Sequence, residues 1–534
     1  MKKTAISNIL KILVSDNISQ KCIEILKNAG LEVDVKAGMK PEELKACIGD
    51  YHGLVIRSAT KVTSELIDAA ANLKVIGRAG SGLDNVDRVA ATKKGIVVMN
   101  TPGGNTITTA EHSIALMVAL ARQIPQATMS MKAGKWEKKK FMGIELFNKT
   151  LGVIGIGNIG SQVAKRAQGL TMNVIAYDPF LSEDKAKAMG VEKVDLQELL
   201  RRSDFITIHT PITSETKNII NKETIKTMKP GVRIINCARG GIINEKDLYD
   251  ALIEGKVAGA ALDVFEKEPP EDNPLLTLDN VISTPHLGAA TKEAQENVAV
   301  AVAEQIVDYL IHGTIRNAVN FPSIPSDQVT RLQPYITLAE KLGGFAAQIF
   351  EGGVTEITIE YRGEASEINT APVTIAAIKG FLSPIVGETV NFVNALFIAK
   401  ERGIEVKETK STDAGDYQSM VAIRLKAKAK ESYFAGTLFS KTDPRIVAID
   451  NFKVEIVPEG ELLFIYNNDK PGVIGNIGTL LGKNNINIAR MHFGRETLGG
   501  RAISVVTIDT PATPLIIEKI KRLPNILSVK QITL

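Results

Sequence analysis

Cysteine is scarce in this chain: Cys22, Cys47 and Cys237 are the only three in 534 residues. They show neither a paired framework nor metal-ligand spacing, so no disulfide scaffold and no structural zinc are expected, and a reducing cytoplasm suits them. Charge of one sign is lacking as well. With 64 basic and 60 acidic side chains mixed along the chain the net charge is only +4, which gives no sign of nucleic-acid binding. Any anionic ligand must therefore be held by a local cluster. No uninterrupted apolar run approaches the ~18 residues of a membrane span, and no membrane partner is expected. The start, MKKTAISNILKILVSD, has the two lysines of a secretion signal. Ser7, Asn8 and Lys11 break its apolar stretch and no small-residue cleavage site follows, so KILVSD reads as the first buried strand.

A chain of this length is too long for one core and implies three or four domains. Short apolar runs alternate with helical patterns from the start (KILVSD, SQKCIEILKNAG, LEVDV, PEELKACIGD, GLVIR), the rhythm of a parallel sheet with crossover helices. The rhythm recurs from Leu151 to about Pro285. Between the two stretches TITTAEHSIALMVALARQI predicts an amphipathic helix over 106–124 with Thr108 or Thr109 as N-cap, and TKEAQENVAVAVAEQIVDYLIHG predicts a second that stops at Gly313. Two long helices bracketing one α/β unit suggest insertion of that unit in another, with a cleft between them. Residues 1–100 and 288–318 then form a discontinuous substrate domain, and 101–287 an inserted dinucleotide domain. NFPSIPSDQ reads as a linker. In the α+β segment 319–457, VTEITIEYRG reads as a strand and ETVNFVNALFIAKERG as a helix. The last stretch, 458–534, parses as βαββαβ, the ferredoxin-like order.

LGVIGIGNIGSQVAKRA places Gly155, Gly157 and Gly160 in GxGxxG spacing after an apolar strand and at the start of a helix. Glycines there permit a tight turn, close approach of backbone N–H groups to a pyrophosphate, and close packing of helix on strand. The next strand, MNVIAYD, ends in Asp178, 18 residues after Gly160, where a carboxylate accepts hydrogen bonds from both ribose hydroxyls. A 2′-phosphate meets that carboxylate unfavourably, so NAD is expected over NADP.

Three further strands deliver polar groups at their carboxyl ends. VRIINCARGG leads to Arg239, VAGAALDVFEKEPP to Asp263 and Glu268, and NVISTPHLGA to His286. In an open parallel sheet the ligand crevice lies beyond those ends. A guanidinium to clamp a carboxylate, an imidazole to exchange a proton and a carboxylate to orient the imidazole form the set that hydride transfer at a 2-hydroxy acid requires. Asp263 is open to a second reading, as a residue that only positions the loop. His112 reads as a packing or interdomain residue, and His52, His209 and His312 are bland by position. Cys237 has no base beside it in sequence and is expected to make backbone contacts only.

GxGxxG…D, NCARGGIINE, ALDVFEKEPP and PHLGAAT, in this order, resemble the D-isomer-specific 2-hydroxyacid dehydrogenase family across residues 6–318. The resemblance implies a Rossmann-type dinucleotide domain inserted in a flavodoxin-like substrate domain. Arg239 is then the substrate clamp, His286 the proton donor and Glu268 its partner. It also implies NAD contacts from Asn158 and Ile159, Asp178, Thr210, Cys237, Ala238 and Arg239, Asp263, and His286, Leu287, Gly288 and Ala289.

VIRSATKVT carries Arg57, Ser58 and Lys61, and VIGRAGSGLDNVD carries Arg78 and Ser81. Two basic loops facing one cleft suit a substrate with a second anionic group, and a phosphate fits both; the other reading is solvated surface charge. Ser81 is assigned to cofactor binding. GKWEKKKFMG, with the single tryptophan, either adds charge to a neighbouring subunit's site or is a solvated turn. NNDKPGVIGNIGTLLGKNNINIARMHFGR resembles an ACT domain, an amino-acid-binding regulatory module, which implies effector contacts from Asn467, Asp469 and Asn487. The whole order resembles the long members of the family that oxidise 3-phosphoglycerate, with L-serine as effector, an intervening segment similar to an allosteric substrate-binding domain, and homo-oligomers, tetramer or dimer. Two alternatives remain open: a glyoxylate or hydroxypyruvate reductase on the same catalytic set, and a non-catalytic NAD-sensing co-repressor.

Overall fold

The computed structural model describes residues 9–322, 326–387, 389–428 and 430–534. Its first sheet is all parallel, in spatial order Glu32–Val35, Lys11–Val14, Gly53–Ile56, Val75–Arg78, Val97–Met99. The four strands other than the edge strand Glu32–Val35 are largely buried apolar runs because helices cover both faces. One cover is the helix Lys292–His312, whose Val298, Val302 and Ile306 enter the core beside Ile12, Val55 and Val97. Thr291 caps its start by accepting from Ala294 N, and Gly313, at φ 70°, ends it.

The second sheet has seven parallel strands in the order Val281–Ser283, Val257–Leu262, Val232–Asn236, Phe205–Ile208, Thr150–Ile154, Asn173–Tyr177, Glu192–Lys193. The helix Thr106–Arg122 lays Ala110, Leu116, Met117 and Leu120 on it. Its N-cap position is Asn105 and no side chain caps it, so neither Thr108 nor Thr109 has that role. Thr109 is free of capping because its hydroxyl donates to Gly288 O at 2.8 Å, tying this helix to the loop behind Val281–Ser283.

The linker predicted over 320–328 lies partly outside the described residues, and a helix already runs over Ser326–Ile349. With the helix Ala371–Val386 it covers a six-stranded sheet that includes the expected strand as Glu356–Gly363. The helix expected over 388–403 is confined to Ala395–Glu401; Glu388 lies outside the described residues. Asparagine side chains account for the difference. Asn391 Oδ1 accepts from Val393 N and Asn394 N, and Asn394 Oδ1 accepts from Asn391 N, local bonds that compete with the helical pattern. The freed segment docks beside the first sheet, where Asn391 Nδ2 donates to Gly95 O at 2.8 Å and Val393 enters the core shared with Ile12 and Val97.

The last sheet is antiparallel in the order Ile488–Arg495, Arg501–Ile508, Glu461–Asn468, Ile526–Thr533. One face packs on its own two helices; the other joins the Ser326–Ile349 helix, with Phe464 edge-on to Phe345 at 6.1 Å between ring centroids. No helix among the described residues is long and apolar enough to cross a membrane.

Candidate active site

A cavity of about 600 Å³ lies where the carboxyl ends of the first two sheets face one another. His286 reaches it from a loop wound unusually tightly: its φ is 54°, a left-handed conformation uncommon outside glycine. The loop is held there because His286 N donates to both Asp263 O and Thr284 O at 3.0 Å. Nδ1 of His286 lies 2.8 Å from Glu268 Oε2, and since the carboxylate accepts, the proton sits on Nδ1 and Nε2 is left to exchange one. Glu268 is itself aimed by Phe265 N, which donates to Oε1 at 3.2 Å.

Asp263 is only 1% exposed and acts as the knot of the loop. Its Oδ1 accepts from Thr284 Oγ1 at 2.6 Å, Leu287 N at 2.7 Å and His112 Nε2 at 3.2 Å; its Oδ2 accepts from Gly288 N at 2.8 Å. Burial pushes the Asp263 carboxyl up, but the bonds from His112, Thr284 and Leu287 outweigh it and hold the group below its ordinary value. His112, read from the sequence as a packing or interdomain residue, is instead a hydrogen-bond partner of Asp263 and Thr284 that the sequence did not indicate.

Arg239 follows the strand Val232–Asn236. Buried Asn236 shapes its turn by accepting from Ala238 N and donating to Arg239 O. The guanidinium donates from Nε to Asp84 Oδ2 at 3.1 Å, across the cleft, and from NH1 to Ala238 O at 2.7 Å. Arg78 packs over Gly80, where a Cβ would stand 2.3 Å from NH1. Burial holds the Arg78 pKa below its ordinary value, and the charges of Arg239 and Arg57 act in the same direction; Arg239 lines the cavity, whereas Arg57 and Arg78 are outside its lining. Arg57 is anchored by Asp16, which accepts its backbone N–H at 2.6 Å, and by Asn17 O at 3.3 Å. Ser58 is exposed, and Lys61 lines a separate depression with Ser15, Asp16 and Met39. Trp136 and Lys138 to Lys140 are exposed.

The residues of the glycine loop fit a dinucleotide. Gly155 has φ 89°, and a Cβ on Gly160 would stand 2.0 Å from Gly155 O, so the helix Asn158–Gly169 begins as close to the strand as two glycines permit. Gly157 faces open space, and Asp178 ties in the loop by accepting from Ile156 N at 3.0 Å. Ser81, Ile159, Thr210, Cys237, Ala238 and Ala289 line the cavity, while Leu287 is 40% exposed outside its lining. Thr210 Oγ1 and His209 Nδ1 are buried polar atoms without a hydrogen-bond partner among the described residues, capacity that a polar ligand can use. His209, bland by position, is therefore a wall residue, and burial drives its pKa down to about 3, so it is neutral there. Burial pushes the Cys237 thiol up to about 12, which removes it as a nucleophile.

The three effector candidates are not brought together within one chain. Asn467 is buried and accepts from Ser504 Oγ, and Asp469 accepts from Gly499 N and Arg495. Asn487 instead donates to Asp509 Oδ2. The register explains the separation: Asn467 pairs with Ala502, whereas Ile488, next to Asn487, pairs with Ile508 at the other end of the sheet.

Comparison with known proteins matches residues 114–288 to the D-isomer specific 2-hydroxyacid dehydrogenase NAD binding domain, 331–450 to the D-3-phosphoglycerate dehydrogenase intervening domain, and 462–525 to the ACT domain. A glyoxylate reductase structure from Paecilomyes thermophila superimposes with a TM-score of 0.55 at 30% identity, covering 58% of this chain and 98% of that one. A D-3-phosphoglycerate dehydrogenase of Methanocaldococcus jannaschii is 48% identical, covering 98% of this chain and 100% of the relative. Another, of Archaeoglobus fulgidus, is 49% identical over 98% of this chain and 100% of its own length, and the chain belongs to the D-3-phosphoglycerate dehydrogenase family.

Proposed function

We propose that the chain oxidises 3-phosphoglycerate to 3-phosphohydroxypyruvate with NAD, the first step of the phosphorylated route to L-serine. The observation that carries this reading is the Nδ1 to Oε2 contact of 2.8 Å between His286 and Glu268, facing Arg239 across one cavity. NAD, when bound, supplies the acceptor for the hydride that leaves the substrate carbon. Gly155, Gly157, Asn158, Ile159 and Gly160 hold its pyrophosphate, Asp178 its ribose, and Ser81, Thr210, Cys237, Ala238, Asp263 and Gly288 to Ala289 complete its site. Arg239 orients the substrate carboxylate, and Nε2 of His286 takes the hydroxyl proton as the carbonyl forms. The Glu268 carboxylate stabilises the imidazolium that results. Arg57 and Arg78 receive the phosphate, the feature that separates this reading from a reductase of glyoxylate.

The division into 1–100 with 288–318, 101–287, 319–457 and 458–534 belongs to the same reading, supported by the cores that the 106–122 and 292–312 helices enter. So do a cytoplasmic setting and a homo-oligomer in which L-serine lowers activity. Because Asp469 and Asn487 sit at opposite ends of their sheet, an effector that uses both must lie between two copies. Calorimetry with serine on wild type and Asn487→Ala tests this; unaltered binding by the variant moves the site elsewhere.

For the substrate, initial rates of NADH formation are measured with 3-phosphoglycerate and with unphosphorylated D-glycerate. Arg57→Ala and Arg78→Ala are expected to raise KM for the first far more than for the second. Equal effects on both would defeat the phosphate assignment.

A further inference from the structure

Asp84 is a carboxylate placed among cations that the proposed chemistry reserves for substrate. It stands on the loop after the strand Val75–Arg78, in the first domain, and meets Arg239 of the second. The loop is shaped for the meeting: a Cβ on Gly82 would stand 2.2 Å from Arg239 NH2 and 3.1 Å from Asp84 Oδ2. Asp84 has no other side-chain hydrogen bond among the described residues, and its side chain is 66% exposed against 32% for Arg239.

The donors of Arg239 are divided unequally. NH1 is committed to Ala238 O, Nε is taken by Asp84, and NH2 donates to nothing among the described residues. A carboxylate engages a guanidinium through two parallel N–H bonds. With NH1 turned to the backbone, the edge left for that geometry is the one formed by Nε and NH2, and Asp84 already sits on it. Burial is the main reason that the Arg78 guanidinium lies below its ordinary pKa; the charges of Arg239 and Arg57 add to it, and Asp84 acts against that repulsion. A substrate that brings its own carboxylate and phosphate makes this compensation surplus.

We propose that Asp84 is a surrogate counter-ion: it occupies the carboxylate edge of Arg239 in the ligand-free cleft, is displaced by the substrate carboxylate, and so sets substrate affinity. The inference deepens the proposed function and rests on its assignment of Arg239 as the carboxylate clamp. Mobility is built in, since an exposed side chain with one partner can rotate to water at little cost. The displaced pair is of the partly exposed kind, worth about two- to five-fold in affinity.

The test uses the full chain with Asp84→Asn, which keeps the shape and removes the charge, and Asp84→Ala beside it. KM for 3-phosphoglycerate is expected to fall about two- to five-fold, more than kcat changes. Ligand-free variants are expected to melt below wild type, and the gap to close at saturating 3-phosphoglycerate, because the ligand then supplies the counter-charge. A rise in KM, or a melting gap that persists at saturation, would overturn the proposal and make Asp84 a residue that holds Arg239 in the complex. Failure of wild type to oxidise 3-phosphoglycerate would count against the proposed function alone. A melting titration with oxalate then decides on Asp84: tighter binding by Asp84→Asn supports displacement, and equal or weaker binding overturns it.

Discussion

Replacing Asp263 by asparagine changes one oxygen into an NH2 group at a site only 1% exposed, where water cannot compensate. The carboxylate accepts from the backbone N–H groups of Leu287 and Gly288, one on each oxygen. Whichever way the amide lies, its NH2 therefore confronts one backbone donor. A buried donor left without a partner costs about 1–3 kcal/mol, and the bonds that remain lose their charge assistance, which together gives about 2–4 kcal/mol of local destabilisation. Amide hydrogen exchange of the segment 284–290 reads this without requiring the multidomain chain to unfold in two states. Exchange of Leu287 and Gly288 is expected to accelerate roughly 30- to 700-fold, the same energies at 1.4 kcal/mol per factor of ten. Because the segment carries His286, kcat is expected to fall on the order of 10²-fold, the effect of a misplaced catalytic group. Exchange within threefold of wild type together with kcat within twofold would refute the view that Asp263 anchors the loop.

Asp178→Ala is expected to weaken NAD binding and narrow the preference over NADP, read as the ratio of kcat/KM for the two cofactors; an unchanged ratio removes Asp178 from the ribose site. Gly160→Ala drives a Cβ against Gly155 O, 2.0 Å away and part of the backbone, so the loop must move, and the Kd for NAD measured by fluorescence titration is expected to rise about tenfold or more. An unaltered Kd would show that the loop is not held as tightly as the contact implies. His209 has its pKa lowered to about 3 by burial, so the unfolded chain takes up a proton near pH 6.5 that the folded one refuses. Stability is then lost as pH falls from about 6.5 towards 3, and thermal melts across that range are expected to drop more steeply for wild type than for His209→Asn. Parallel profiles would mean that His209 is hydrated.

The parts of the site that stood out in the sequence are those whose chemistry is local. Gly155 and Gly160 announce their loop because the backbone itself demands glycine, while Gly157 leaves open space beside it; Arg239, Glu268 and His286 are recognisable because each follows an apolar strand whose carboxyl end faces the crevice. Asp84 and His112 were not recognisable as site residues. Their roles come from partners far off in sequence, Arg239 and Asp263, and an aspartate in a glycine-rich loop or a histidine on an amphipathic helix carries no mark of that partner. Lys61 illustrates the converse: it shares a loop with Arg57, but the three residues between them carry it into a separate depression. The NFVN segment has helical periodicity on both sides, and only the reciprocal bonds of Asn391 and Asn394 reveal a turn. Asn487 and Asp469 flank one helix in sequence, yet a helix that joins two parallel strands necessarily returns the chain to the far end of the sheet.

Single-turnover oxidation of 3-phosphoglycerate at saturating NAD, in wild type and in His286→Ala, is the most direct measurement of whether this cleft performs the dehydrogenation. The NADH burst of the variant is expected to be slower by ~10² or more, the usual contribution of a positioned acid–base group, with NAD affinity retained. A burst within a few-fold of wild type would place the proton transfer, and with it the active site, somewhere other than the pair formed by His286 and Glu268.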